Sequence, residues 1–219
     1  MAYRRMVSAS LLAADFAALG HAAEEAERGG AGSLHVDYMD GHYVPNLTFG
    51  IDLLPALKKR VRIPLLAHLM ISNAGQRLDD FVKAGADCIV LQEDAVGNAG
   101  RLIDRIHDGG VKAGLAISPP RSLETITELL PRLDFLLILS VNPGFGGQSF
   151  IPETLVKMKE AHRIRTREGL GFDIGVDGGV NLDTAGDIVR TGANVLIAGS
   201  AIFGKPDVAA AIRDLRSAG

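Results

Sequence analysis

Cysteine is almost missing from this 219-residue chain, tryptophan is absent, and aromatic residues make up only 5%. The one thiol, Cys88, cannot close an internal disulfide, so a disulfide-framed fold is excluded and a reducing, cytoplasmic setting is expected. It lies in the apolar run Cys88-Ile89-Val90-Leu91 and reads as a small buried hydrophobe. A basic surplus is also missing: 23 Lys plus Arg stand against 26 Asp plus Glu, which argues against a nucleic-acid partner. No apolar run reaches the length of a membrane helix, so no membrane partner is expected. The stretch after Met1-Ala2-Tyr3-Arg4-Arg5-Met6 is too short and broken for a signal peptide. What the chain has instead is aliphatic bulk and glycine: 47% hydrophobic residues and 26 Gly. That length and composition suit one domain, 1–219, with a sizeable core.

Short apolar runs alternate with amphipathic stretches throughout. The runs are Met6–Ser10, Ser33–Met39, Pro64–Met70, Cys88–Leu91, Ala113–Ser118, Phe135–Val141, Asp173–Val176 and Val195–Ala198. They lack a polar alternation, as strands buried on both faces do. Between them, helical patterns cover Phe16–Arg28, Leu53–Arg60, Ala74–Ala84, Gly100–His107, Leu123–Leu130, Glu153–Arg167, Leu182–Thr191 and Asp207–Arg216. Gly29-Gly30, Gly85, Gly109-Gly110 and Gly192 punctuate the passage from helix to strand, where glycine can take the left-handed conformation that ends a helix. Strict alternation with no linker predicts the α/β class with a parallel sheet. The count of eight favours a closed (β/α)8 TIM barrel over an open doubly wound sheet.

In such a barrel, chemistry gathers at the C-terminal ends of the strands. His35 and Asp37 are two apart on the second strand, so both side chains point to one face. An imidazole and a carboxylate inside a barrel need a reason to be desolvated, and a metal ion supplies one. His68 ends the third strand and Asp177 the seventh. Two imidazoles and two carboxylates suit one divalent Zn, Fe, Mn or Co ion better than Mg or Ca. A second constellation is rich in glycine: Asn142-Pro143-Gly144-Phe145-Gly146-Gly147-Gln148, then Gly178-Gly179, then Ala198-Gly199-Ser200. Such loops bring backbone N–H groups close to an anion. None of the three carries Lys or Arg, so a phosphate there would be held mainly by backbone amides.

The segments His35-Val36-Asp37-Tyr38-Met39-Asp40-Gly41-His42-Tyr43-Val44-Pro45-Asn46, His68-Leu69-Met70, Val141 to Gln148 and Val176-Asp177-Gly178-Gly179 resemble, in order and across the whole chain, the ribulose-phosphate 3-epimerase family. The resemblance implies that His35, Asp37, His68 and Asp177 bind one divalent metal, with Asp37 and Asp177 also the catalytic acid/base pair. It further implies that Ser10 and His68 contact substrate, that Met39 and Met70 line the reacting centre, and that Gly144, Phe145, Gly146, Gly147, Gly178, Gly179, Gly199 and Ser200 hold the phosphate end. The implied reaction interconverts D-ribulose 5-phosphate and D-xylulose 5-phosphate at C3 through an enediolate, a step of the pentose phosphate pathway. The implied partner is thus a small phosphorylated ketose, and a homo-oligomer is expected. Inverting a carbon beside a carbonyl takes a proton from one face and returns one to the other, so two acid/base groups are needed.

The chain departs from the family pattern at three places. Gln92-Glu93-Asp94-Ala95 stands for a usual His-x-Glu-Ala, Ser118-Pro119-Pro120 for a frequent Asn-Pro, and Leu139 for a third methionine. These keep open a 3-epimerase of another ketose phosphate, such as allulose 6-phosphate. A non-catalytic phosphosugar-binding barrel is a further alternative, though binding alone does not need two opposed carboxylates. The decarboxylases and lyases of related barrels need Asp-x-Lys-x-x-Asp at the third strand, where this chain has His68-Leu69-Met70. A Schiff-base aldolase needs a lysine in the barrel mouth, and the lysines here fall in helices, at a strand start or past the last strand.

Overall fold

Eight runs of mostly aliphatic residues form eight parallel strands: β1 (Met6–Ser10), β2 (Ser33–Met39), β3 (Leu65–Met70), β4 (Cys88–Gln92), β5 (Lys112–Ile117), β6 (Phe135–Leu139), β7 (Asp173–Asp177) and β8 (Val195–Ala198). They belong to a computed structural model that describes residues 4–218. Each strand pairs in parallel with the next, and β8 pairs with β1, so the sheet closes in sequence order as a (β/α)8 TIM barrel. Closure explains the missing alternation: one face of each strand meets helices and the other the interior. On β2, for example, Leu34, Val36 and Tyr38 join the outer core with helix residues, while Ser33, His35, Asp37 and Met39 fall on the opposite parity.

The helices are α1 (Leu19–Arg28), α2 (Leu53–Lys58), α3 (Ala74–Lys83), α4 (Ala99–Asp108), α5 (Thr154–Glu168), α6 (Leu182–Arg190), α7 (Ser200–Phe203) and α8 (Val208–Ser217). At the expected helix-to-strand turns, Gly30, Gly85, Gly110 and Gly192 all carry positive φ. The Leu123–Leu130 helix is realised as a 3₁₀ run over Leu123–Arg132. Two β-branched threonines and Pro131 sit in that run, and the Thr127 hydroxyl donates to the Leu123 carbonyl; these residues disfavour a regular α-helix. The stretch Phe16–Ala18 is likewise a 3₁₀ turn. The four-residue α7, directly after the strand end Ala198-Gly199, was not foreseen from the pattern, being too short for one.

The barrel interior is mostly apolar, with buried Ser8 and Ser33 hydrogen-bonded to each other at the start of β2 and His35, Asp37 and His68 further along the strands. Leu66, Cys88, Val90, Ala116, Phe135, Leu137, Leu139, Val195 and Ile197 form one buried cluster inside the barrel, with Cys88 among them as a small hydrophobe. Gly175 makes room for the Phe135 ring: a Cβ there would lie 2.3 Å from Phe135 Cζ. Among the described residues, no helix is long and apolar enough to cross a membrane.

Candidate active site

Strand register brings the polar residues together. Asp37 pairs with His68 and His35 with Ser10 across neighbouring strands, and neighbours in register point to the same side. His35 Nε2 lies 3.0 Å from Asp37 Oδ1, and His68 Nδ1 lies 2.9 Å from the same oxygen. The two ring nitrogens are 3.3 Å apart. Asp177 Oδ2, from across the barrel, lies 3.8 Å from His35 Nε2. One donor atom from each of the four residues falls within 4.8 Å of all the others. Both histidines and Asp37 are buried, whereas the Asp177 side chain is 22% exposed and faces the mouth. The set fits a divalent cation on its own chemistry: four N and O donors converge in the barrel interior, and the buried ones would otherwise carry a desolvation penalty. His35 Nδ1 is buried without a hydrogen-bond partner among the described residues, consistent with a ring turned to aim Nε2 at the centre.

Electrostatics separate the two carboxylates. Burial opposes the charge on Asp37, but the adjacent His35 and His68 outweigh it and hold that carboxyl well below the usual range. At Asp177 burial dominates and the Asp37 charge adds to it, so its carboxyl is pushed up, to about 7. Burial alone would favour neutral His35, yet Asp37 and Asp177 raise its pKa, while burial lowers that of His68. The pair thus divides into an ionised carboxylate and one that exchanges protons near neutrality. Ser10 Oγ donates to Asp37 Oδ2 at 3.0 Å and orients its second oxygen.

Above the cluster opens a cleft of about 330 Å³. Its lining gathers Ser10, Asp37, Asp177, Phe145, Gly146, Gly147, Gly178, Gly179, Gly199 and Ser200, and contains no Lys or Arg. Backbone therefore dominates the side formed by the last three loops. Gly179 shows why: its φ is +65°, and a Cβ would lie 2.5 Å from the Phe150 backbone nitrogen. Other expected site residues lie outside this lining. His35 and His68 lie in the barrel interior with Asp37. Met39 and Met70 form a small buried cluster with Val44. The Gly144 carbonyl accepts from Asn46 Nδ2 at 2.9 Å, tying the β6 loop to the β2 loop.

Several residues that shape the site were not singled out from the sequence. Leu12, Gln148, Ser149 and Asn181 also line the cleft. Asn181 had a legible signal, since it caps α6 with Thr184 in a reciprocal capping box. Gln148 Nε2 donates to the carbonyls of Asn142 and Phe145 and shapes the β6 loop. Asp40 organises the β2 loop: Oδ1 accepts from the backbone N–H of His42 and Tyr43, and Oδ2 from the N–H and hydroxyl of Ser72. Partial desolvation opposes its charge, but these donors prevail and hold the Asp40 carboxyl well below the usual range. A lowered folded pKa gives stability that is present above the unfolded value of about 4 and lost as pH falls through the folded one. The wild-type protein should therefore have a higher Tm than Asp40→Asn at pH 7. That difference should shrink steadily below about pH 4, and a difference independent of pH would remove the ionised Asp40 from the account.

A family model described as the ribulose-phosphate 3 epimerase family matches residues 6–203. The ribulose-phosphate 3-epimerase of Bacillus subtilis is 43% identical over 211 residues, covering 96% of this chain and 97% of the relative. That of Escherichia coli K12 is 41% identical over 213 residues, covering 97% and 95%. Among solved structures, KGPDC from Streptococcus mutans in complex with D-R5P superposes with a TM-score of 0.74 at 16% identity, covering 97% of this chain and 95% of that one. This last likeness shows the barrel fold alone. The family model and the full-length relatives agree, and the chain belongs to the ribulose-phosphate 3-epimerase family and is an epimerase.

Proposed function

We propose that the chain interconverts D-ribulose 5-phosphate and D-xylulose 5-phosphate by two-base proton transfer at C3, with one divalent ion of the Zn, Fe, Mn or Co type held by His35, Asp37, His68 and Asp177. The observation that carries this reading is the pair of carboxylates from β2 and β7 in one glycine-lined cleft that has no cationic side chain. A divalent ion held by His35, Asp37, His68 and Asp177 would supply positive charge to offset the negative charge that develops as the C3 proton leaves. The chain's own residues do the rest. One of Asp37 and Asp177 removes the C3 proton from one face, and the other, protonated, returns a proton to the opposite face. Ser10 and the two histidines hold Asp37 in place. Gly146, Gly147, Gly178, Gly179, Gly199 and Ser200 receive the phosphate through backbone N–H groups.

The three departures from the family pattern bear on the rival sugar. Gln92, Ser118 and Leu139 are all buried, and none lines the cleft. The test is a panel of pentulose, hexulose and tetrulose phosphates, together with unphosphorylated ribulose. The pentulose phosphates should have the highest kcat/KM. Unphosphorylated ribulose should be a poor substrate because it forfeits the binding energy of the phosphate. Another ketose phosphate turned over at least tenfold better, about 1.4 kcal/mol at the barrier, would install the sister epimerase instead.

A further inference from the structure

We propose that Gln92 is a positioning residue that sets which ring nitrogen of His68 carries the proton, leaving Nδ1 free for the metal when its amide turns. This inference rests on the metal reading above. Gln92 ends β4 and is fully buried. Its Nε2 lies 3.2 Å from His68 Nε2. The opposite edge of the same imidazole, Nδ1, faces Asp37 Oδ1 at 2.9 Å and belongs to the ligand cluster. Gln92 Oε1 is buried and has no hydrogen-bond partner among the described residues.

The two edges of His68 are linked by one proton. In neutral imidazole one nitrogen donates and the other accepts. With Gln92 donating to Nε2, the proton sits on Nδ1 and points at Asp37, which suits the protein without metal. A metal on Nδ1 needs that lone pair, so the proton moves to Nε2 and requires an acceptor. A half-turn of the amide exchanges its two ends with almost no change of shape. It then presents Oε1, the buried atom otherwise left without a partner, to the Nε2 proton. Ligating histidines commonly donate their second N–H to such an acceptor, which fixes the tautomer and strengthens the ligand. His35 lacks an equivalent, because its Nδ1 meets no hydrogen-bonding group among the described residues. The tautomer control in this centre therefore falls to Gln92.

The test uses the full chain with histidines labelled with nitrogen-15, zinc as a diamagnetic probe, and the variants Gln92→Leu, Gln92→Glu and Gln92→His. Two-bond nitrogen–proton correlations report which nitrogen of His68 carries the proton. In wild-type protein that proton should sit on Nδ1 without zinc and on Nε2 with it. Gln92→Glu, which accepts when ionised, should place the proton on Nε2 even without zinc at a pH where that carboxyl is ionised. Gln92→Leu should weaken zinc binding by about 10- to 100-fold, measured by chelator competition, and Gln92→His should restore most of it. A folded Gln92→Leu protein with wild-type zinc affinity would overturn the assignment, as would an Nδ1 proton in zinc-loaded wild type. If Gln92→Leu does not fold, the metal-free comparison of wild type with Gln92→Glu decides, and identical tautomers there would also overturn it. If wild type takes up none of Zn, Fe, Mn and Co, the metal reading fails, and that same metal-free comparison still judges Gln92.

Discussion

Asp177→Asn is expected to lower kcat by about 10²- to 10⁴-fold, the range that a positioned acid/base group contributes. Asp177 is the carboxylate placed for proton exchange, since its side chain meets the cleft, and in the metal-free protein burial and the Asp37 charge push it up to about 7. An amide keeps the size and most of the hydrogen bonding of the residue but can neither take nor return a proton at C3. Because Asp177 also belongs to the ligand cluster, metal content must first be shown to equal that of wild type. In deuterated water, wild-type enzyme should place solvent deuterium at C3 of the epimeric product early, while recovered substrate gains label more slowly. Metal-replete Asp177→Asn should retain some exchange into recovered substrate without inversion, from the face that Asp37 serves. A metal-replete variant that epimerises at near wild-type rate would end the two-base account. Inversion without any solvent label would end it as well.

Removing the divalent ion should have an effect of at least similar size. Metal ions contribute several kcal/mol of charge stabilisation in such reactions, and each 1.36 kcal/mol is about tenfold in rate, so a loss of about 10³-fold is expected after chelation. His35→Ala should reach the same state by another route, since it deletes the nitrogen that lies within 3.0 Å of Asp37 Oδ1 and 3.8 Å of Asp177 Oδ2. Its metal content should fall with its activity. Adding back Zn, Fe, Mn or Co in turn should restore the chelated wild-type protein and identify which ion supports the highest rate. Full activity in protein verified to be free of metal would dismiss the metal role, and with it the need for two buried imidazoles beside Asp37.

Much of this molecule is written locally in its sequence. The ranges Met6–Ser10, Ser33–Met39 and Val195–Ala198 coincide with β1, β2 and β8, because a strand buried on both faces must be apolar almost without break. His35 and Asp37 were legible as a pair because strand side chains repeat every second residue. The Gly-rich segments were legible because only glycine tolerates the backbone conformations seen at Gly178 and Gly179. These are short-range facts, set by steric limits and by periodicity.

Other features depend on contacts between residues far apart in the chain. Gln92 could be seen only as a departure from a pattern until strand pairing set its amide against His68, a partner 24 residues away. Asp40 reaches Ser72 across 32 residues and Asn46 reaches Gly144 across 98, so neither role has a local signature. Met39 and Met70 share a small cluster with Val44, and Leu12, which lines the cleft, packs against that cluster. The residues around one site come from almost every strand of the barrel. Sequence periodicity decides which face a side chain takes, but only the closed register decides which residue stands opposite it, and hydrogen bonds and metal ligation are settled by that second fact.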